Sequence, residues 1–159
     1  MKVLQLLYIL SLVLPGCTSH EISNPQKKDI DSGFVNVFGN IQYDSVVAFN
    51  YNGEAGKNII DDSGHLSNKI HKRIFLQKNQ IQAISSILCN PSTYGGDMAA
   101  CFDPHLGIVY YIANKPKAFV SICLDCNSLN SSIPIQAANS GFSDSGIVRI
   151  VTFQKGIGY

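Results

Sequence analysis

The sequence predicts an α+β fold: a small antiparallel sheet with one clear amphipathic helix and a hairpin closed by cysteine and histidine side chains. Three observations carry that expectation. Runs rich in β-branched and aromatic residues recur at Tyr43–Tyr51, Gly107–Ala113 and Ala118–Leu124. Between them, over Lys78–Leu88, the apolar period changes to that of a helix. Four cysteines beyond Cys17, with His105 among them, cluster around the last two runs.

Each element follows from its own residues. Tyr43–Tyr51 ends at Asn52-Gly53, a strong turn signal, and Asp61-Asp62-Ser63-Gly64 makes the next turn. Lys69–Leu76 then alternates as a second strand with Ile70, Ile74 and Leu76 on one face. Over Lys78–Leu88, Ile81, Ile84 and Leu88 fall at helical spacing with Ala83 and Ile87 alongside, and Asn90-Pro91 stops the helix. Ser92–Asp97 reads as a loop. Gly107–Ala113 and Ala118–Leu124 form a hairpin about a turn at Asn114–Lys117. On the second run Ala118, Val120, Ile122 and Leu124 share one face, opposite Phe119, Ser121 and Cys123, so one face is expected to meet the core. Asn127–Ser132 is polar and reads as a loop. The end, Ser143–Tyr159, offers Ser143 or Asp144 as an N-cap, Ile147, Ile150 and Val151 at helical spacing and Gly156 as a stop, although its Ile and Val content suits a strand equally.

A length of 159 residues with 45% hydrophobic and 14% charged residues suits one packed domain and excludes a disordered chain or a fibre. Organisation along the chain is set by its first residues. Lys2 is followed by Val3–Leu14, twelve residues in which only Gln5 and Ser11 are strongly polar, then Pro15-Gly16-Cys17. A membrane-spanning helix needs about 20 apolar residues, so this stretch is too short and reads as a signal peptide over residues 1–16. Leu14-Pro15-Gly16-Cys17 resembles the lipobox of bacterial lipoproteins, with Leu three residues before the cysteine that becomes the lipidated first residue. Pro15 departs from the usual small or β-branched residue there, and the alternative is an ordinary signal peptide with a chance cysteine. The lipobox makes Cys17 the lipidation site, residues 17–33 a polar tether and 34–159 the globular domain. Asp29–Gly33 begins like a calcium loop but puts Gly33 and Phe34 where that loop needs an oxygen ligand and then glycine.

Charge and composition exclude some partners. Once Lys2 leaves with the signal peptide, eleven basic residues face eleven acidic ones, so no basic surface exists in bulk for nucleic acid. The absence of Trp and the six Pro argue against a carbohydrate platform or a Pro-rich ligand. The phosphate-loop pattern fails, because Tyr51 stands where its first glycine belongs and Asn58 where Ser or Thr should bind magnesium. Neither HExxH nor a dinucleotide fingerprint occurs. Asn130-Ser131-Ser132 is formally a glycosylation acceptor and conflicts with the lipobox.

Cys101, His105, Cys123 and Cys126 are the candidate site. Cys101-x3-His105 and Cys123-x2-Cys126 are separated by seventeen residues, near the spacing of a zinc ribbon, whose ligand pairs lie about 15 to 20 residues apart. If Ala113 faces Ala118, then Ile108 lies opposite Cys123 and His105 opposite Cys126. A Cys3His set is a closed structural Zn²⁺ site, with Asp103 or Asp125 available to support the ligands. Two alternatives stay open. An exported chain meets an oxidising compartment in which these four cysteines, Cys89 included, pair as disulfides. A CxxC is also a thiol redox motif, although Asn127–Ser132 is a poor helix to lower the thiol pKa. A Cys101/His105 nucleophile would need an orienting group and an oxyanion donor, with only Asp103 and the Gly95-Gly96 amides nearby.

Taken together, Tyr94-Gly95-Gly96, Ala100–Tyr111 and Ser121–Asn127 resemble a group of uncharacterised lipoproteins from Bacteroidetes-type bacteria, with C-x3-H and ICxxCN elements. The resemblance spans about a third of the chain. It implies that Cys101, His105, Cys123 and Cys126 belong to one site and implies no activity. The expected function is a lipid-anchored, extracytoplasmic protein of the cell envelope with a non-enzymatic binding or structural role, stabilised by the Cys/His cluster. The alternative is a thiol redox or metal-dependent enzyme using the same residues.

Overall fold

Apolar side chains occupy both parities of the run Ser45–Tyr51: Val46 and Ala48 on one, Val47, Phe49 and Tyr51 on the other. A strand patterned this way must be covered on two faces. In the computed structural model, which describes residues 35–159, it lies inside the main sheet. The signal peptide, Cys17 and the tether lie outside the described residues. In chain order the strands are β1 (Ser45–Tyr51), β2 (Ile70–Phe75), β3 (Tyr94–Gly96), β4 (Leu106–Ile112), β5 (Lys115–Cys123), β6 (Ser128–Ser131) and β7 (Gly141–Phe142). The helices are α1 (Lys78–Cys89) and α2 (Asp144–Gly156). Five strands pair antiparallel in the order β2-β1-β4-β5-β6, and β3 pairs with β7 as a separate two-stranded sheet, so the expected α+β fold is the observed one.

Both helices lie on one face. There Val46, Ala48, Leu106, Ile108, Tyr110, Ala118, Val120 and Ile122 pack with Ile84 and Leu88 of α1 and Ile150 and Phe153 of α2. The expectation that only one face of β5 meets the core needs correction. The segment 52–69 crosses the opposite face and presses Ile59 and Ile60 onto Val47, Phe49, Tyr51 and Val109. Ser121, polar and fully buried, fastens this cover: its Oγ accepts a hydrogen bond from Ile59 N at 2.9 Å. Gly107 makes the close approach possible, because a Cβ there would sit 2.6 Å from the Ile59 side chain.

Local chemistry sets the helix ends. The N-cap Gln77 donates its backbone N–H to Gln80 Oε1 at 2.8 Å, and α1 stops at Asn90, before Pro91. Ile84 and Leu88 are buried, Ile81 and Ile87 are partly so, and Ala83 is exposed. The C-terminal run resolves as helix: Ser143 Oγ accepts from Gly146 N at 3.1 Å as an N-cap. Gly146 is obligatory, since a Cβ there would lie 2.1 Å from the Thr93 carbonyl oxygen.

The hairpin is tighter than expected. Its turn is two residues, Ala113 and Asn114, with φ of 48° and 62°, which matches the twist of a short antiparallel connection. Lys115 to Lys117 belong to β5, and Pro116 sits opposite Tyr111 where the register shifts, a place where a missing N–H is tolerated. The register therefore sets Ile108 against Val120, not Cys123, and His105 N donates to Ile122 O at 3.1 Å. Strands β3 and β6 form where the sequence favours loops, and β7 forms where it carries no strand signal.

Candidate functional site

The end of β5 and the turn after it build the site. Cys123 is the last residue of β5, and Asn127 takes the left-handed conformation, φ 53°, that Asn adopts more readily than most residues. The turn between them, closed by Asn127 N donating to Leu124 O at 3.0 Å, brings Cys123 and Cys126 together as a disulfide, S–S 2.01 Å and Cα–Cα 5.2 Å. Both cysteines are at most 1% exposed. Cys126 N points at Cys123 Sγ at 3.1 Å and Asp103 N at Cys126 Sγ at 3.1 Å, so two backbone donors face the sulfurs.

This turn is a hub for segments distant in sequence. Ala99 N donates to Cys126 O at 3.0 Å, so residues on both sides of Cys101 are tied to Cys126. The Asn127 side chain donates from Nδ2 to Asp97 O at 2.7 Å and to Phe142 O at 3.0 Å, linking the ends of β3 and β7. Its amide lies so close to both chains that a Cβ on Gly96 or Gly141 would come within 2.8 Å of Nδ2. The two halves of the motif thus act differently, since the cysteines close the turn and the asparagine after them clamps the small sheet. Asn127 and the paired glycines are not among the residues expected from sequence, although an Asn beside a CxxC and the Gly-rich β3 are visible signals.

Asn127→Gly keeps the left-handed backbone but removes both amide bonds, leaving the Asp97 and Phe142 carbonyls without that donor. The expected loss is about 1–3 kcal/mol of stability, read by urea denaturation, with no change in the number of disulfides.

His105 enters through its backbone. It stands opposite the end of β1, where Tyr51 N donates to His105 O at 3.1 Å, and its Nδ1 lies 3.2 Å from Tyr51 O. The Tyr159 hydroxyl donates to the same His105 carbonyl and ties the chain end to the site. Burial raises the Tyr51 phenol to about 12, the Ser121 hydroxyl opposing the shift and the nearby Asp103 charge adding to it. Burial also pushes Tyr159 upward. Tyr159 thus meets the strip 99–105 at the His105 carbonyl, and the Tyr51 phenol lies near Ser121 and Asp103. Gly53 lies against Pro104, where a Cβ would sit 2.4 Å from the Pro104 carbonyl oxygen, and Gly56 N donates to Phe102 O at 2.7 Å. The strip 99–105 is thereby held between the disulfide and the cover segment.

The four expected ligands do not form one set. Cys123 and Cys126 bond to each other, Cys101 is an exposed free thiol, and His105 turns its ring to the Tyr51 carbonyl. Two sulfurs joined in a disulfide cannot serve as thiolate ligands, so Cys101, His105, Cys123 and Cys126 do not fit a Cys3His Zn²⁺ site in this state. Among the described residues, no three of His, Cys, Asp or Glu are grouped to hold a metal ion. The three-residue slip of the hairpin explains part of this, because it moves His105 away from the position opposite Cys126. The expected staple between Cys101 and the CxxC is likewise replaced by the local Cys123–Cys126 bond. Among the described residues Cys89 is the other free thiol, buried at the end of α1 with Sγ 3.7 Å from Asn36 Oδ1, and burial raises its pKa.

Compared with known proteins, the chain matches no protein-family model, no curated protein and no solved structure.

Proposed function

We propose that the chain is a lipid-anchored, extracytoplasmic protein of the bacterial cell envelope whose domain has a non-enzymatic binding or structural role. The observation that carries the reading is the buried Cys123–Cys126 disulfide, whose Cys126 accepts from Ala99 N and faces Asp103 N of the strip 99–105. Disulfides persist in oxidising compartments, and a leader over residues 1–16, running into the lipobox Leu14-Pro15-Gly16-Cys17, would deliver the chain to one. Exposed, electropositive thiols are the reactive ones. Sulfurs at most 1% exposed suit a staple better than a reagent, which favours the non-enzymatic reading over thiol redox catalysis.

The anchor supplies the test. Cys17→Ser is expected to move the protein from the membrane fraction to the soluble fraction, because acyl chains each contribute about 0.8 kcal/mol per buried CH₂ and two or more give stable attachment. Fractionation with an antibody to the domain reads the result. An unmodified Cys17 in native protein that stays outside the membrane would overturn the anchoring.

A further inference from the structure

Strand β2 pairs with β1 along one edge, and no strand lies against its other edge among the described residues. An open edge offers a row of backbone N–H and C=O groups to any extended chain. The far edge of the sheet, β6, is four residues long, whereas β2 has six. Its side chains are of one sign: His71, Lys72 and Arg73 are consecutive, and no acidic residue occurs from Lys69 to Phe75. Lys72 is already engaged on the helix side, where its ammonium donates to the Gly158 carbonyl. On the opposite side the Arg73 guanidinium lies 5.8 Å from the centroid of the Phe49 ring and has no carboxylate partner among the described residues. Next to it Phe75 is 73% exposed, and with Val47, Leu66 and Tyr111 these residues line a groove of about 200 Å³.

We propose that the outer edge of β2 takes an extended acidic segment of a partner protein as a sixth strand. A carboxylate of that segment lies beside Arg73 and an apolar side chain covers Phe75. The inference rests on the reading of this domain as a binding module and names the kind of partner it binds. Backbone hydrogen bonds supply affinity in such strand addition, and alternate side chains supply selectivity. The stretch used is Lys72–Phe75, because the register shifts between Asn50 and Tyr51 and leaves His71 unpaired as a bulge. A second copy of this chain is a poor occupant. Antiparallel pairing of two β2 edges over this stretch would set Lys72 against Phe75 and Arg73 against Ile74, drawing two basic runs together with no acidic residue from Lys69 to Phe75 on either strand to offset them.

The probe is a fluorescein-labelled, end-blocked short peptide alternating Glu with Val and Phe, compared with the same peptide carrying Lys for every Glu. Fluorescence anisotropy with the purified protein is expected to show saturable binding of the acidic peptide, at least about ten-fold tighter than the basic one. Hydrogen exchange should slow at Lys72–Phe75 on binding. Arg73→Glu should abolish or invert the charge preference, and Phe75→Ser should weaken binding several-fold; both side chains are exposed, and unchanged melting temperatures confirm that the variants fold. Failure of the acidic peptide to saturate, or an unchanged charge preference in Arg73→Glu, overturns the proposal and leaves the basic run as a guard against edge-to-edge aggregation. A concentration-dependent dimer that Arg73→Glu alters assigns the edge to a second copy and overturns it as well. The Cys17→Ser fractionation is read independently, so failure here leaves the anchoring to stand or fall separately.

Discussion

Ile84→Asp is expected to leave the domain unfolded at room temperature, whereas Gln82→Asp, two residues away on the same helix, keeps it folded. Ile84 has no exposed surface and packs in the cluster that joins α1 and α2 to the sheet. Losing the apolar side chain from such a site costs about 2–5 kcal/mol. The carboxylate adds the cost of burying a polar group without a partner, again several kcal/mol. Small domains hold about 5–15 kcal/mol in total, so the sum removes most or all of it. Gln82 is exposed, and a charge there stays in water. Circular dichroism and a thermal melt of the two variants decide the matter. Equal melting temperatures would mean that the buried face of α1 is not the one that Ile84 marks.

The helix is legible in the sequence because its signal is local. Ile81, Ile84 and Leu88 repeat at helical spacing, and Asn90-Pro91 stops the run whatever the rest of the chain does. Strand positions β1, β2, β4 and β5 are equally visible, since β-branched and aromatic residues concentrate there. Their register is not. Lys115-Pro116 looks like turn chemistry, and reading it so lengthens the hairpin loop and slips the pairing by an odd number of residues. Such a slip sends every side chain of one strand to the wrong face. The alternation contains the correction: Leu106, Ile108 and Tyr110 share the helix-facing side with Ala118, Val120 and Ile122, and only the tighter turn brings those sets together.

The remaining elements depend on contacts that no local pattern encodes. Ser128–Ser131 is a strand because the edge of β5 lies open to it, with Ile122 set against Leu129, and its own composition argues for a loop. Gly96 and Gly141 are in the small sheet because nothing larger fits beside the Asn127 amide. The site is half visible for the same reason. A CxxC and a Cys-x3-His at the two ends of a hairpin mark a region where the chain is tied together. Whether those sulfurs meet each other, a metal or Cys101 is decided by the register and by the turn over Leu124–Asn127 that closes Cys123 onto Cys126.

Removing both disulfide cysteines, as Cys123→Ala with Cys126→Ala, is expected to cost about 2–4 kcal/mol in urea denaturation. Closing so short a loop limits the unfolded chain by roughly 2 kcal/mol in the chain-entropy account. The remainder comes from the folded side, where Asp103 N and Cys126 N lose the sulfurs they face and the strip 99–105 loses one of its two ties to Cys126. Three comparisons isolate the cause. Reductant should remove only the chain-entropy part, roughly 2 kcal/mol, and leave the native protein somewhat more stable than the double variant, because its sulfurs stay opposite Asp103 N and Cys126 N. Cys101→Ser should change stability by less than about 0.5 kcal/mol, as exposed positions do. His105→Ala should cost about 1 kcal/mol, the loss of one hydrogen bond to Tyr51 O. A thiol reagent should label Cys101 at once in the folded protein and Cys89 only on unfolding, since one is exposed and the other buried. If Cys101→Ser proved as damaging as the double variant, Cys101 would be bonded in solution, and the four-residue cluster rather than the local disulfide would be what holds this end of the sheet.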